Sequence, residues 1–586
     1  MPTALPPSPI AYLIEPSDLA GHCFTVTLTL AQPMPEGCLL RLPAWLPGSY
    51  KIREFARHIT QITAGSGRKP LSVRKVDKHS WQLAPSTGKV TVRYTVYAYD
   101  VSVRGAYLDG QRGFFNGANL CLEVVGQSDQ PHRLTVRPPE HPDAAQWTLA
   151  TSLPREGAGR RGFGHFVAAN YDDLLDHPFE MGHLETVRFT ACGVPHEIIV
   201  SGQHRGDLDR LAADVKKLCT EHLTFFGTPA PFARYVFLLH VGDKLYGGLE
   251  HRASTALMAS RDALPVQGEP TLTEAYLDLL ALFSHEYFHA WNVKRIKPAA
   301  FVPYDLSQEG YTRLLWAFEG ITSYYDELAL VRCGLLSIPA YLQRLADLLA
   351  AVRRAPGLAV QSVAEASFDA WIKYYQPDEN SPNSQVSYYT KGALIALCLD
   401  LTLRQHSQGQ VSLDTVMRAL WQHTEQTGQG IAEDAWGRLA EAATGVPLTA
   451  LLARWVDSTA PLPVEALLAT VGVTLSPVAD DTLAARLGVK ASGSTAEGWT
   501  LQSVYHGGAA YQAGLSGGDV LIAVDGLKTS SVEAQHTRYP AGSVVTAHAF
   551  RRDQLLSLSL TLPAAPHSRY AVTAEASRVQ EIGRAS

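Results

Sequence analysis

Residues 271–295, TLTEAYLDLLALFSHEYFHAWNVKR, constrain this chain more than any other stretch. Thr271 followed three residues later by Glu274 reads as a capping box, and the apolar body behind it as a helix. Inside that body stand His285, Glu286 and His289, in the order H-E-x-x-H. Residues four apart share a helix face. The two imidazoles therefore lie one turn apart and can meet at a single point, with Glu286 beside them. Leu282, Phe283 and Trp291 make the surroundings apolar, and burying three polar side chains there is costly unless each finds a strong partner. A metal ion is one such partner. Backbone carbonyls satisfying a pair of core histidines are the other.

A catalytic metal site usually takes three protein ligands and keeps one position open. The next helical stretch, RLLWAFEGITSYYDELALV, offers the third. Glu319 lies between Trp316-Ala317-Phe318 and Gly320-Ile321, where an unpaired carboxylate is expensive. Gly320 costs a helix about 1 kcal/mol unless close approach requires it. Asp326, seven residues on and on nearly the same face, is placed either to accept the outer N–H of a ligating histidine or to face solvent. Upstream, KLYGGLEHRAST sets Gly247 and Gly248 before Glu250. Successive glycines let another backbone approach closely, and a carboxylate beside them can hold a positive group. A glycine-rich hairpin with a surface glutamate is the alternative.

Together, H-E-x-x-H and W-x-x-E-G-x-T-x-Y-Y resemble the gluzincin metallopeptidases, whose third ligand is a glutamate on a downstream helix. Aminopeptidase N-type enzymes place that glutamate closer to the second histidine than here, where 29 residues intervene between His289 and Glu319. The longer spacing, HEYFHAWNVKRIKP and the early segment LPAWLPGSYKIREFARHI (42–59) are similar to the glycyl aminopeptidases, over about residues 10–563. The resemblance implies one zinc ion per chain, held by His285, His289 and Glu319. It implies that Glu286 activates the zinc-bound water. YGGLEH resembles the aminopeptidase element whose glutamate binds the free α-amino group, which assigns that role to Glu250 with Gly247 and Gly248 along the peptide. The segment SQVSYYTKGALIALCLDL resembles the one whose tyrosine donates to the oxyanion. Residue-by-residue matching gives Tyr389, with Tyr388 its neighbour; a phenol suits that task chemically. The implied activity is a zinc aminopeptidase preferring N-terminal glycine, then alanine. A gluzincin-type endopeptidase and a non-enzymatic adaptor with an inactive peptidase fold are the alternatives.

The rest of the chain frames this site. With 586 residues, 46% hydrophobic and 18% charged, the chain is globular and suits about three to four domains. Its net charge of −6 excludes the basic face that nucleic acid or anionic membrane would need. Peptides with a free N-terminus are the expected partners. Seven scattered cysteines without C-x-x-C spacing read as free thiols. The proline-broken N-terminus lacks a signal-peptide pattern, and no apolar run is long enough to span a membrane. A cytoplasmic location is expected, or a periplasmic or secreted one if a signal was removed.

Alternating stretches such as KVTVRYTVYAYDVSV predict an all-β domain over 1–200. A thermolysin-like α+β catalytic domain with a helical C-terminal part is expected over 201–462. Its helices fall at roughly 272–294, 311–333, 338–354, 389–405 and 411–427. Short strands recur over 463–565, and 566–586 reads as a loosely packed tail. Within the third region GLSGG (514–518) matches the G-x-S-x-G elbow of serine hydrolases, but a strand follows it where an elbow needs a helix. The wider text, SVYHGGAAYQAGLSGGDVLIAVDG, resembles a PDZ domain. Such a domain implies a peptide ligand, with RLGVK (486–490) as the carboxylate-binding loop; a lid or a packing module is the alternative.

Overall fold

A computed structural model of the chain describes residues 9–32, 34–157, 159–532, 539–575 and 578. The expectations for residues 1–8 and for the last part of the tail, 576–577 and 579–586, lie outside these. The chain divides into two compact units, residues 1–310 and 311–586.

The first unit opens with the strands that the alternating pattern demands. Ile10–Asp18 buries Ile10, Tyr12 and Ile14 on one face and half-exposes Ala11, Leu13 and Glu15 on the other, the period of two of a strand covered on one side. It pairs antiparallel with Cys23–Leu30 and parallel with His132–Val136, inside a seven-stranded sheet accompanied by two four-stranded ones. The N-terminal region is all-β, as expected, apart from short helical turns.

A five-stranded sheet follows: β1 (Glu185–Ala191), β2 (Val194–Ser201), β3 (Tyr235–Gly242), β4 (Tyr246–Glu250) and β5 (Ser254–Ser260), in the order β1-β2-β3-β5-β4. β2, β3 and β5 run parallel, and β4 lies antiparallel at the edge. The crossover between β2 and β3 is α1 (Leu208–Phe226). The Asp207 side chain caps its start, and Gly227 at φ 88° ends it. α2 (Glu274–Phe288) carries H-E-x-x-H. Its cap is Thr273, whose Oγ1 accepts the Tyr276 N–H at 3.2 Å; the expected capping box from Thr271 does not form. Glu274 is already the first helical residue, and the Thr271 N–H goes instead to the Glu269 carboxylate at 3.0 Å. The helix also ends sooner than the sequence suggested, with His289 as its C-cap.

The second unit begins with a π-helical turn, Trp316–Gly320, that leads into α3 (Ile321–Arg332). The helix expected from 311 thus starts late. α4 (Ile338–Arg354), α5 (Thr390–Ser407) and α6 (Leu413–Thr427) match the expected spans closely. Buried polar ties fix their relative positions. The Tyr324 and Tyr325 hydroxyls donate to Asp400 and Asp414 at 2.9 and 2.8 Å, and Arg332 and Arg404 neutralise those two carboxylates.

Beyond residue 470 the unit is mostly β. Val489–Ser494, Gly498–Val504, Val520–Val524, Val544–Arg551 and Gln554–Thr561 form one sheet in that order. Part of the expected tail is ordered. Arg569–Ala574 pairs antiparallel with Val473–Val478, an alternation too short to stand out from its irregular flanks. GLSGG is no elbow. A helix, Ala509–Ala513, precedes it and ends at Gly514, a strand follows, and Ser516 lies exposed beneath the Arg551 guanidinium at 3.0 Å. In RLGVK the Arg486 guanidinium is buried and donates to the carbonyls of Pro563, Tyr539 and Pro540.

Candidate metal centre and active site

The first unit supplies two imidazoles and two carboxylates. On α2 the Nε2 atoms of His285 and His289 converge to 3.0 Å, with their rings nearly perpendicular. The other nitrogen of His289, Nδ1, lies 2.6 Å from the carbonyl of Asn292. A carbonyl only accepts, so Nδ1 carries the proton and Nε2 keeps its lone pair turned inward. The chain can make this contact because it leaves the helix in tight turns, with the Asn292 N–H on the Phe288 carbonyl and Val293 at φ 130°. Trp291 fixes the same turn from outside. Fully buried, it stacks on Phe226 with centroids 4.7 Å apart and planes 8° apart.

Glu286 is buried on the same helix, against β4. A Cβ on Gly248 would fall 1.9 Å from Glu286 Oε1. Space rather than backbone conformation therefore demands glycine there. Gly247 does have an unusual conformation, at φ 156°. At the end of β4, Glu250 is 4% exposed, and its Oε1 finds no hydrogen-bond partner among the described residues. A Cβ on Gly48, itself at φ 89°, would sit 2.4 to 2.6 Å from that carboxylate. The all-β region thus forms one wall around Glu250. It braces β4 twice more. Arg104 donates to the Gly248 carbonyl at 3.0 Å, and the Asp176 carboxylate accepts both the backbone N–H and Nε of Arg252 at 2.8 Å. Burial opposes ionisation of Asp176, but Lys294, Arg252 and His251 around it hold its carboxyl well below the usual range.

The second unit supplies a carboxylate and a phenol. Glu319 is buried within the π turn. Gly320 beside it meets the start of α5 glycine to glycine: a Cβ there would fall 2.5 Å from the Gly392 Cα and 2.8 Å from the Tyr388 carbonyl. The W-x-x-E-G and Y-x-K-G segments are therefore locked together through backbone. Tyr388 is fully buried, whereas Tyr389 is part-exposed, so of the pair Tyr389 can offer its hydroxyl to a ligand. Burial and the negative Glu319 push the Tyr389 phenol well above its ordinary range, which keeps it a donor at neutral pH. Tyr375 adds a hydroxyl 3.5 Å from that of Tyr389. Asp326 is half-buried on α3 and accepts the Glu327 N–H. For His289, the outer partner anticipated from Asp326 is the Asn292 carbonyl.

One ligand atom each from His285, His289 and Glu319 lies within 4.8 Å of the others. Two imidazoles and a carboxylate form a donor set that fits a tetrahedral divalent metal with a position left open.

Family models match in two places: the Peptidase M61 N-terminal domain over residues 11–183, and the M61 glycyl aminopeptidase over residues 278–395. Among solved structures, an aminopeptidase N family protein from Idiomarina loihiensis shares 42% identity. The match covers 98% of this chain and 99% of that one, with a TM-score of 0.93. The chain belongs to the M61 glycyl aminopeptidase family. An M1 zinc metallopeptidase from Deinococcus radiodurans, at 14% identity and a TM-score of 0.49 over 78% of this chain and 95% of that one, is too slight a likeness to weigh. No curated protein matches.

As an M61 family member the chain is a peptidase, and peptides are its substrates. Metallopeptidase chemistry needs a metal, and the His-His-Glu cluster fits one. No helix among the described residues is long and apolar enough to cross a membrane.

The residues that sequence reasoning missed act through space or through backbone. Gly48 lies 202 positions before Glu250, and no local pattern links them. Asn292 contributes a carbonyl, which any residue type could supply. Tyr375 had a faint signal, as half of a second tyrosine pair upstream of Tyr388-Tyr389.

Proposed function

We propose that this chain is a zinc aminopeptidase that removes N-terminal residues, preferring glycine and then alanine. His285, His289 and Glu319 hold the zinc. When bound, the ion polarises the scissile carbonyl and makes water a stronger acid. Glu286 takes the proton of the attacking water and passes it to the departing amine. Tyr389 donates its O–H to the carbonyl oxygen as that atom gains charge. Edge strand β4 receives the extended substrate backbone along Gly247 and Gly248, and Glu250 pairs with the substrate ammonium. Asp326 serves as the outer-shell acceptor for His285, since the Asn292 carbonyl already takes that place for His289.

The observation that carries this reading is Glu250. A buried carboxylate oxygen without a partner, at the end of an edge strand that also abuts Glu286, is a costly arrangement until a cation fills it. A substrate ammonium is such a cation. The preference for glycine, then alanine, rests on the resemblance to the glycyl aminopeptidases. The same proposal includes a thermolysin-like catalytic domain over 201–462, flanked by the β domain at 1–200 and by a PDZ-like domain at 463–565.

The test compares glycyl, alanyl and leucyl anilides with an N-acetylated glycyl control, together with metal analysis. One zinc per chain, activity falling in the order glycyl, alanyl, leucyl, and no turnover of the blocked substrate are expected. Equal cleavage of the blocked substrate would instead identify an endopeptidase and remove the role of Glu250. Activity that survives a chelator would overturn the mechanism.

A further inference from the structure

The first unit holds a cavity of about 940 Å³ that plays no part in the peptidase chemistry. Small-molecule sites span about 300–1,000 Å³, so the size suits an organic ligand. One side is the strand Thr148–Thr151 with the loop after it, and the other is built from β1, β2 and the chain that enters β3. Buried Ile199 and Val236 give the lining an apolar part. Six arginines line it, against one aspartate and one glutamate, in a chain whose net charge is −6. They lie scattered between residues 155 and 295, so no basic run marks them in the sequence.

Three of the six are neutralised. Arg188 and Arg234 share the Glu197 carboxylate, each at 2.8 Å. Arg252 lies 2.8 Å from both Asp172 and Asp176. Arg155, Arg161 and Arg295 pair with no acid among the described residues. Their hydrogen bonds go to backbone carbonyls instead. Arg155 donates to Leu149 at 3.3 Å, and Arg161 to Ala145. Arg295 donates to Pro231, Arg252 and Ala290 at 2.7, 3.0 and 2.6 Å. A guanidinium has five N–H donors, so each of the three keeps donors to spare. Carbonyls satisfy N–H groups but leave the positive charge uncompensated. Burial pulls Arg295 down to about 10, and burial with the neighbouring Arg234 charge also lowers Arg155. Both stay charged at neutral pH, and what they lack is an anion.

A carboxylate brings one charge and two oxygens. A phosphate ester brings nearly two charges and three oxygens, in a shape that the guanidinium fork matches. Three uncompensated guanidiniums exceed what a single phosphate group neutralises. We propose that this cavity binds a small organic molecule carrying two phosphate groups, held by Arg155, Arg161 and Arg295. The site uses neither Glu250, Glu286 nor the metal cluster, so it stands apart from the aminopeptidase reading.

Calorimetry on the full, metal-loaded chain tests it with fructose 1,6-bisphosphate and ADP, against fructose 6-phosphate and orthophosphate. At least one of the two diphosphorylated probes should bind in the micromolar range. It should bind at least about tenfold tighter than either comparison compound, the gain expected from a second set of charge-assisted hydrogen bonds. Arg295 ties the residue after His289 to the chain beyond Glu250, so its removal risks the fold. The test therefore rests on Arg155, which is exposed, and Arg161, which is half-buried. Arg155→Gln with Arg161→Gln should weaken the bound probe about tenfold or more, with the melting temperature unchanged. Arg155→Lys with Arg161→Lys should weaken it less, because the charge remains and only the fork is lost. If the double glutamine variant fails to fold, Arg155→Gln alone should still weaken binding about threefold. No binding of either probe up to millimolar concentration would overturn the proposal. So would orthophosphate or fructose 6-phosphate binding as tightly as the probes. An affinity unchanged in the glutamine variants would overturn it too, by placing the phosphates elsewhere, on the metal for instance.

Discussion

Glycine serves different ends in the two units. In the first, Gly48 and Gly248 leave room for carboxylates: an added Cβ would press on Glu250 or on Glu286. In the second, Gly320 and Gly392 leave room for backbone, because each would press on the other's Cα. A side chain can swing aside at small cost in stability, though it then leaves the place where its charge is needed. Backbone in a packed turn cannot yield without shifting a helix. The first pair therefore guards where charge sits, and the second guards how elements pack. Changes at the first should harm chemistry in a folded protein. Changes at the second should harm stability before chemistry.

Four substitutions can break or sharpen that contrast. Glu286→Gln keeps the shape and removes the base, and should lower kcat/KM about a thousandfold with bound metal and melting temperature unchanged. Gly248→Ala should displace the same carboxylate without removing it. Misplacement by about 1 Å costs on the order of a hundredfold, so kcat should fall by that much while the melting curve stays in place. A large drop in melting temperature there would erase the distinction between the two pairs. Gly48→Ala meets Glu250 in the same way but also strains the backbone at φ 89°, so KM for unblocked glycyl substrates should rise about tenfold with a smaller effect on kcat, and the melting temperature should fall too. An unchanged KM would show that Glu250 tolerates the shift. Gly320→Ala should cost about 1–3 kcal/mol of stability by overpacking, read as a lower denaturant midpoint. The fraction that remains folded should keep most of its activity.

Side chains with unusual chemistry in unusual surroundings were legible in the sequence. His285, His289 and Glu319 announced themselves because polar groups in apolar helices need a reason, and the three do cluster. Gly320 does allow a close approach, as its cost to a helix suggests, and what it approaches is Gly392. The helices and the all-β start were legible from periodicity, with ends that moved by a few residues where a cap such as Thr273 outcompeted its neighbour. Contacts joining distant residues through shape alone, as between Gly48 and Glu250, were not legible. Nor was the Asn292 carbonyl, since a backbone acceptor leaves no trace in residue identity. Trp291 had no evident purpose beside the motif until Phe226 was found stacked on it.

The π turn at Trp316–Gly320 makes the orientation of Glu319 a matter of counting. A π turn holds one residue more than an α turn, and one residue of helix corresponds to about 100° of rotation. Deleting Ala317 or Phe318 would let the segment relax into ordinary α-helix. Every side chain before the deletion would then be re-phased against every one after it. The composition would barely change and the apolar character would remain, yet the carboxylate's bearing relative to α3 would be lost. In this chain the azimuth of a candidate ligand is set by a single surplus peptide unit.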